Sequence, residues 1–144
     1  MFATQEQAII DRLLAKLPPT VHVAAVRDIE AVPQLRQRAP AAWVVYDGYR
    51  IGDRIPPGSK VQQVEQDWFV VVAAKSARGN GDTTAARDEA STLCEQVLGA
   101  LLGFDLTGRG HYLRLQEAPG PEYDGGYCHV PLAFSCAATF RGQP

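Results

Sequence analysis

Residues 60–76 read KVQQVEQDWFVVVAAKS, with the β-branched and aromatic enrichment of a long strand. Successive strand side chains point to opposite faces, so the two halves of this stretch make different demands on their surroundings. Over 61–67 the polar residues Gln62, Gln63, Glu65, Gln66 and Asp67 dominate, whereas from Trp68 to Ala74 every side chain on both faces is apolar. The second half is therefore expected to be buried on both sides and the first half to be mostly wet. The pattern is that of a central strand leaving its own core. Two helices elsewhere in the chain are available to cover one face of the sheet. Nothing obvious covers the other, which points to a partner subunit.

On the N-terminal side, AAWVVYD at 41–47 is a second strand, apolar on both faces and ended by Gly48. Between the two strands lies YRIGDRIPPGS at 49–59, a hairpin loop too long for a tight turn, and loops of this length tend to be functional or mobile. Further upstream, residues 4–17 read as an amphipathic helix. Thr4 and Gln7 stand at capping-box spacing, and Ile10, Leu13, Leu14 and Leu17 form an apolar stripe widened by Ile9. Pro18 and Pro19 stop it. VHVAAV at 21–26 is a short strand, and 28–38 a turn and short helix with Val32, Leu35 and Ile29 inward and Pro33 in its first turn.

On the C-terminal side, ARGNGD at 77–82 lacks the context of a phosphate loop and reads as a connector into a helix capped by Asp82 or Thr83. That helix covers 84–102, with Ala86, Ala90, Leu93, Val97, Ala100 and Leu101 as its inward stripe and Gly103 as its stop. Its small inward residues allow a close approach to a sheet. A loop at 104–110 leads to a strand at 111–117, with Leu113 and Leu115 on one face. A Gly- and Pro-rich excursion at 118–126 precedes a strictly alternating strand at 127–140, which puts Cys128, Val130, Leu132, Phe134, Cys136, Ala138 and Phe140 on one face. Pro131 donates no ladder bond, so an edge or a bulge is expected there, and the tail from Arg141 should be loose. The whole is an α+β fold, an antiparallel or mixed sheet packed by two main helices, with long hairpin loops, and its 144 residues suit one domain over 1–144.

A net charge of −2 with scattered basic residues argues against sequence-specific nucleic-acid binding. The N-terminus lacks a signal-peptide pattern and no apolar run reaches membrane-spanning length, so a cytosolic protein with no membrane partner is expected. Cys94, Cys128 and Cys136 show neither metal-ligand nor disulfide-framework spacing. Asp47, Asp53, Glu65 and Asp67 flank the first hairpin but read as turn, loop and solvated strand residues rather than a metal set. Cys128 and His129 point to opposite faces of a strand, the wrong geometry for a nucleophile and its base, and His22 has no placed partner. No catalytic, cofactor or metal motif is present, and no enzyme is expected.

The succession of VHVAAV, AAWVVYDG, QDWFVVVAAKS, the helix after ARGNGD and the terminal LAFSCAATF resembles the Mu-like family of small phage and prophage tail terminators. The resemblance implies a non-enzymatic virion component without cofactors, assembled in the bacterial host cytoplasm. It would form a homohexameric ring on the last ring of the tail tube protein, stop polymerisation, meet the tail sheath in contractile tails and present a surface to head or neck connector proteins. A ring that closes head to tail needs two different complementary surfaces on each subunit. The expected contact is the 49–59 hairpin, through Tyr49, Arg50, Ile51 and Arg54, because Tyr and Arg are enriched at such interfaces. Two alternatives stand beside it: another head–tail joining protein, or a small dimeric α+β ligand-binding module or enzyme with a pocket lined by His22, Tyr46 or His129.

Overall fold

The central strand forms where its composition places it, and the rest of the sheet is built outward from it. A computed structural model describes residues 2–76 and 83–144. Its elements in chain order are α1 (Phe2–Lys16), β1 (His22–Val26), a 3-10 helix (Ile29–Arg38), β2 (Ala41–Ile51), β3 (Val61–Lys75), α2 (Thr83–Leu101), β4 (Arg114–Gln116), β5 (Glu122–Asp124) and β6 (Tyr127–Arg141). The sheet order is β1-β2-β3-β6-β4, with β5 paired to the outer side of β6. β1 runs parallel to β2 and every other pairing is antiparallel, so the sheet is mixed and the fold is α+β. The connector read at 77–82, with its cap at Asp82, lies outside the described residues, and Thr83 already belongs to α2.

Both helices pack on one face of the sheet. Ile9 and Leu13 of α1 and Ala86, Ala90 and Val97 of α2 meet Trp68, Val70 and Val72 of β3 and Phe134 of β6 in one buried cluster. Ala86 and Ala90 are 0–1% exposed, which fits a helix seated close to the strands. Arg12 of α1 donates from Nε to the Ala100 carbonyl at 2.9 Å and lies over the Phe104 ring, tying α1 to the last turn of α2, where unpaired carbonyls favour a cation.

The second face is covered within the chain, and here the expectation of an uncovered face is corrected. Asp28 caps the 3-10 helix by accepting from Ala31 N at 2.9 Å. That helix lays Val32 against Trp43, Val45, Val71 and Ala73, and so buries the dry half of β3 from the other side. Pro33 sits inside this helix rather than in its first turn.

Several local expectations also change. α1 starts at Phe2, so Thr4 lies inside it and does not cap it; Gln5, Ile9 and Leu13 are its buried stripe, while Leu14 is exposed. Gly48 does not end β2. It carries a positive φ of 97° at a bulge, where Tyr46 pairs with Trp68 and Gly48 with Asp67, leaving Asp47 as the extra residue, and pairing resumes to Ile51. β3 and β6 pair from Val61↔Arg141 to Lys75↔Tyr127 without a shift, so Pro131 makes no bulge. It falls between the β5 pairs, which end at His129, and the β4 pairs, which begin at Ala133, so the outer edge of β6 is free beside it. The strand expected at 111–117 shrinks to β4, with Leu113 buried and Leu115 exposed. The excursion at 118–126 contains β5, and the tail is tied back: Gly142 N donates to the Lys60 carbonyl and Lys60 Nζ to the Gln143 carbonyl.

Candidate assembly surface

Beyond the reach of α1, the ends of β2, β3 and β6 run on as a three-stranded extension closed by the 52–60 connection. Ser59 N donates to the Pro56 carbonyl at 3.1 Å with Gly58 at φ 85°, a turn in which Pro57 and a positive-φ glycine occupy their favoured positions. Gln62 Nε2 donates to the Asp53 carbonyl at 3.1 Å, and Gly52 N to the Gln63 carbonyl at 3.1 Å. The hairpin is therefore pinned at its base and shaped at its tip.

The four residues expected to form an interface do not share one face. Because of the bulge, Tyr49 pairs with Gln66 and Ile51 with Val64, which puts both on the helix side, where they are 55% and 59% exposed. Phe140, opposite Gln62 on the same side, meets Tyr49 edge-on at 6.1 Å. Arg50 pairs with Glu65 on the other side and is committed within the chain: its Nε and Nη2 grip Asp67 at 2.7 and 2.9 Å. That bidentate bond to Asp67 pushes the guanidinium pKa up. Arg114 holds Glu65 at 2.9 Å on the same side, so two of the four hairpin-flanking carboxylates serve ion pairs rather than a metal set. Arg54 lies exposed in the hairpin without an ion-pair partner among the described residues.

The polar half of β3 is less wet than its composition indicates. Gln66 is fully buried; its amide nitrogen donates to the Gln5 carbonyl of α1, and its carbonyl accepts from the Tyr46 hydroxyl at 3.1 Å. Phe2 stacks on Tyr46 at 4.6 Å with an interplanar angle of 8°. This network fastens the start of α1 to the root of the extension. Its signal in the sequence is the Gln5–Ile9–Leu13 spacing, which places a polar residue on the apolar stripe.

The groups considered for chemistry are dispersed. Burial pushes the Cys94 and Cys136 thiols up to about 11 and raises Cys128, so none is an activated nucleophile at neutral pH. Cys128 packs in the helix-side core and His129 faces the other side. His22 is exposed with its ring 5.2 Å from Trp43, whereas Tyr46 lies on the helix side and lines a cavity with Phe2 and Glu6; His129 lines a separate cavity on the other side, described below. Asp105 organises the 104–111 loop by accepting from the backbone N–H groups of Thr107, Gly108, Gly110 and His111 at 2.8–3.2 Å, which lowers its pKa, Gly110 contributing most. What the molecule offers is surface: a braced strand extension with apolar and aromatic side chains on one side and paired charges on the other.

Comparison with the curated proteins gives no match. The family model described as phage tail terminator protein matches residues 1–144, the whole chain. By that match, and in agreement with the α+β fold, the chain belongs to the phage tail terminator protein family and is a structural component of tail completion in the virion.

Proposed function

We propose that the protein, acting as one domain over residues 1–144, caps the finished tail tube as a closed ring of six copies. The ring ends polymerisation of the tube, and of the sheath where the tail contracts, and presents the surface that head or neck connector proteins join. Assembly takes place in the host cytoplasm. The full-length family match carries this reading. The extension supports it physically, because Tyr49 and Ile51 stand more than half exposed on a strand that is fastened to the core by the Gln66 network. Apolar and aromatic residues held rigidly in solvent have low entropic cost on association and mark contact surfaces.

The test is to replace Tyr49 and Ile51 together with Ser in the phage. Both are exposed, so the fold should persist, and far-UV circular dichroism checks that. The expected result is tails of abnormal length or tails unattached to heads by electron microscopy. Normal joined tails would overturn the role of this surface. Arg50 is a poorer probe than the sequence indicates, because Arg50→Glu also sets a carboxylate against Asp67 and Glu65.

A further inference from the structure

On the side of the sheet away from α1 and α2, a cavity of about 390 Å³ opens between the 3-10 helix, the 119–122 segment and the strands β3 and β6. Its walls are apolar, with Val32, Pro33, Val71 and Pro131 among them. His129 lines it, is only 5% exposed, and has no hydrogen-bond partner for Nε2 among the described residues. A buried nitrogen without a partner costs free energy unless something else supplies one. At the rim stand Glu30 and Glu122, both exposed and neither in an ion pair among the described residues. The cavity is thus apolar inside, acidic at its edge, and holds one unmet ring nitrogen.

The complementary object is in the same chain but out of its own reach. The hairpin tip offers Pro56 and Pro57 in a preformed turn, with Arg54 and Lys60 against the single acid Asp53. From Val61, at the hairpin, to Val71, at the cavity wall, β3 advances ten residues, or about 33 Å. A rigid basic knob at one end of a strand and an acidic socket at the other form the two unlike surfaces that head-to-tail association uses. We propose that the hairpin of one copy seats in this cavity of the next, with Arg54 between Glu30 and Glu122, prolines against the apolar walls, and hairpin backbone meeting His129. This assignment rests on the closed-ring reading above and names its contact.

Ser59→Cys, which leaves both prolines in place, combined with Gly120→Cys tests it. Ser59 is exposed, and a Cβ on Gly120 meets no atom within 4 Å. The two positions are too far apart to join within one copy; Cys128 and Cys136 are buried, and the half-buried Cys94 is replaced by Ala in every variant. Mild oxidation of the purified full chain at high concentration is expected to yield a ladder of covalent multimers from the double variant, and none from either single variant. Adding Glu30→Lys with Glu122→Lys should abolish the ladder, and further adding Arg54→Asp should restore it. Absence of a ladder overturns the contact. If light scattering then still shows multimers of the wild-type chain, the ring reading survives and only this contact falls. Products that stop at the dimer overturn its head-to-tail use, and a ladder indifferent to the charge changes overturns the assigned pairing.

Discussion

Gln66→Leu should destabilise the protein although it introduces a more apolar side chain at a fully buried strand position. The glutamine makes two hydrogen bonds, to the Gln5 carbonyl and from the Tyr46 hydroxyl. Leucine is close enough in volume that no large cavity opens, so the cost comes from the groups left behind. Gln5 is 8% exposed and loses its only side-chain hydrogen-bond partner among the described residues, which costs about 1–3 kcal/mol. Tyr46 is half-buried and retains access to water, so its hydroxyl adds about 1 kcal/mol or less. The expected loss is about 2 kcal/mol, a fall in Tm of about 4–8 °C for a chain of this size. Replacing Gln5 with Leu as well removes both partners of the buried bond, and such a double replacement approaches neutrality. The cycle should therefore show coupling of about 1 kcal/mol or more. Urea unfolding followed by circular dichroism gives the midpoints, with unchanged slopes as the check that only stability has moved. A Gln66→Leu variant as stable as the wild type, or a double variant whose loss equals the sum of the singles, would refute the network as an anchor for α1.

Three other perturbations probe the fold. Gly48→Ala should cost about 1–2 kcal/mol by thermal melting; a Cβ there meets nothing within 4 Å, so the penalty is that of an L side chain at positive φ. Ala90→Leu should cost about 1–3 kcal/mol in chemical unfolding, because α2 sits close on the sheet and the site is 1% exposed. His129 is held below its ordinary pKa chiefly by burial, with Arg36 acting the same way and Glu122 and Asp124 opposing; Glu30 lines the same cavity. Above an unfolded pKa of about 6.5 the group is neutral in both states, and as pH falls through that value toward the folded one the unfolded chain takes up a proton that the native chain refuses. Stability measured at pH 7.5 and 5.5 should therefore drop more in the wild type than in His129→Gln, and equal drops would contradict the assignment.

Strand and helix identities were legible because they rest on local periodicity. The apolar run Trp68–Ala74, the small inward residues Ala86 and Ala90 and the alternation of β6 each demand a particular environment whatever surrounds them. The exposed side of the candidate surface was only partly legible. Tyr49, Ile51 and Arg54 are exposed as expected, but Arg50 turns to Asp67, because the bulge at Asp47–Gly48 changes which residues of β2 share a face. A bulge is a property of two paired strands, and the composition around Gly48 serves equally for a strand end.

The sequence by itself determined the α+β class, the family resemblance, the long central strand and the two helices on one face, since periodic burial and small-residue stripes act over a few residues. Tertiary structure alone decided that the 3-10 helix covers the second face, that Gln66 is buried against Gln5, that Leu115 is exposed while Leu113 is not, and that His129 sits in a cavity some ten strand residues from the hairpin. Each depends on partners distant in the chain, such as Gln5 and Gln66, which are separated by 61 in sequence. Register and packing against those partners, rather than the polarity of a residue, set whether its side chain meets water.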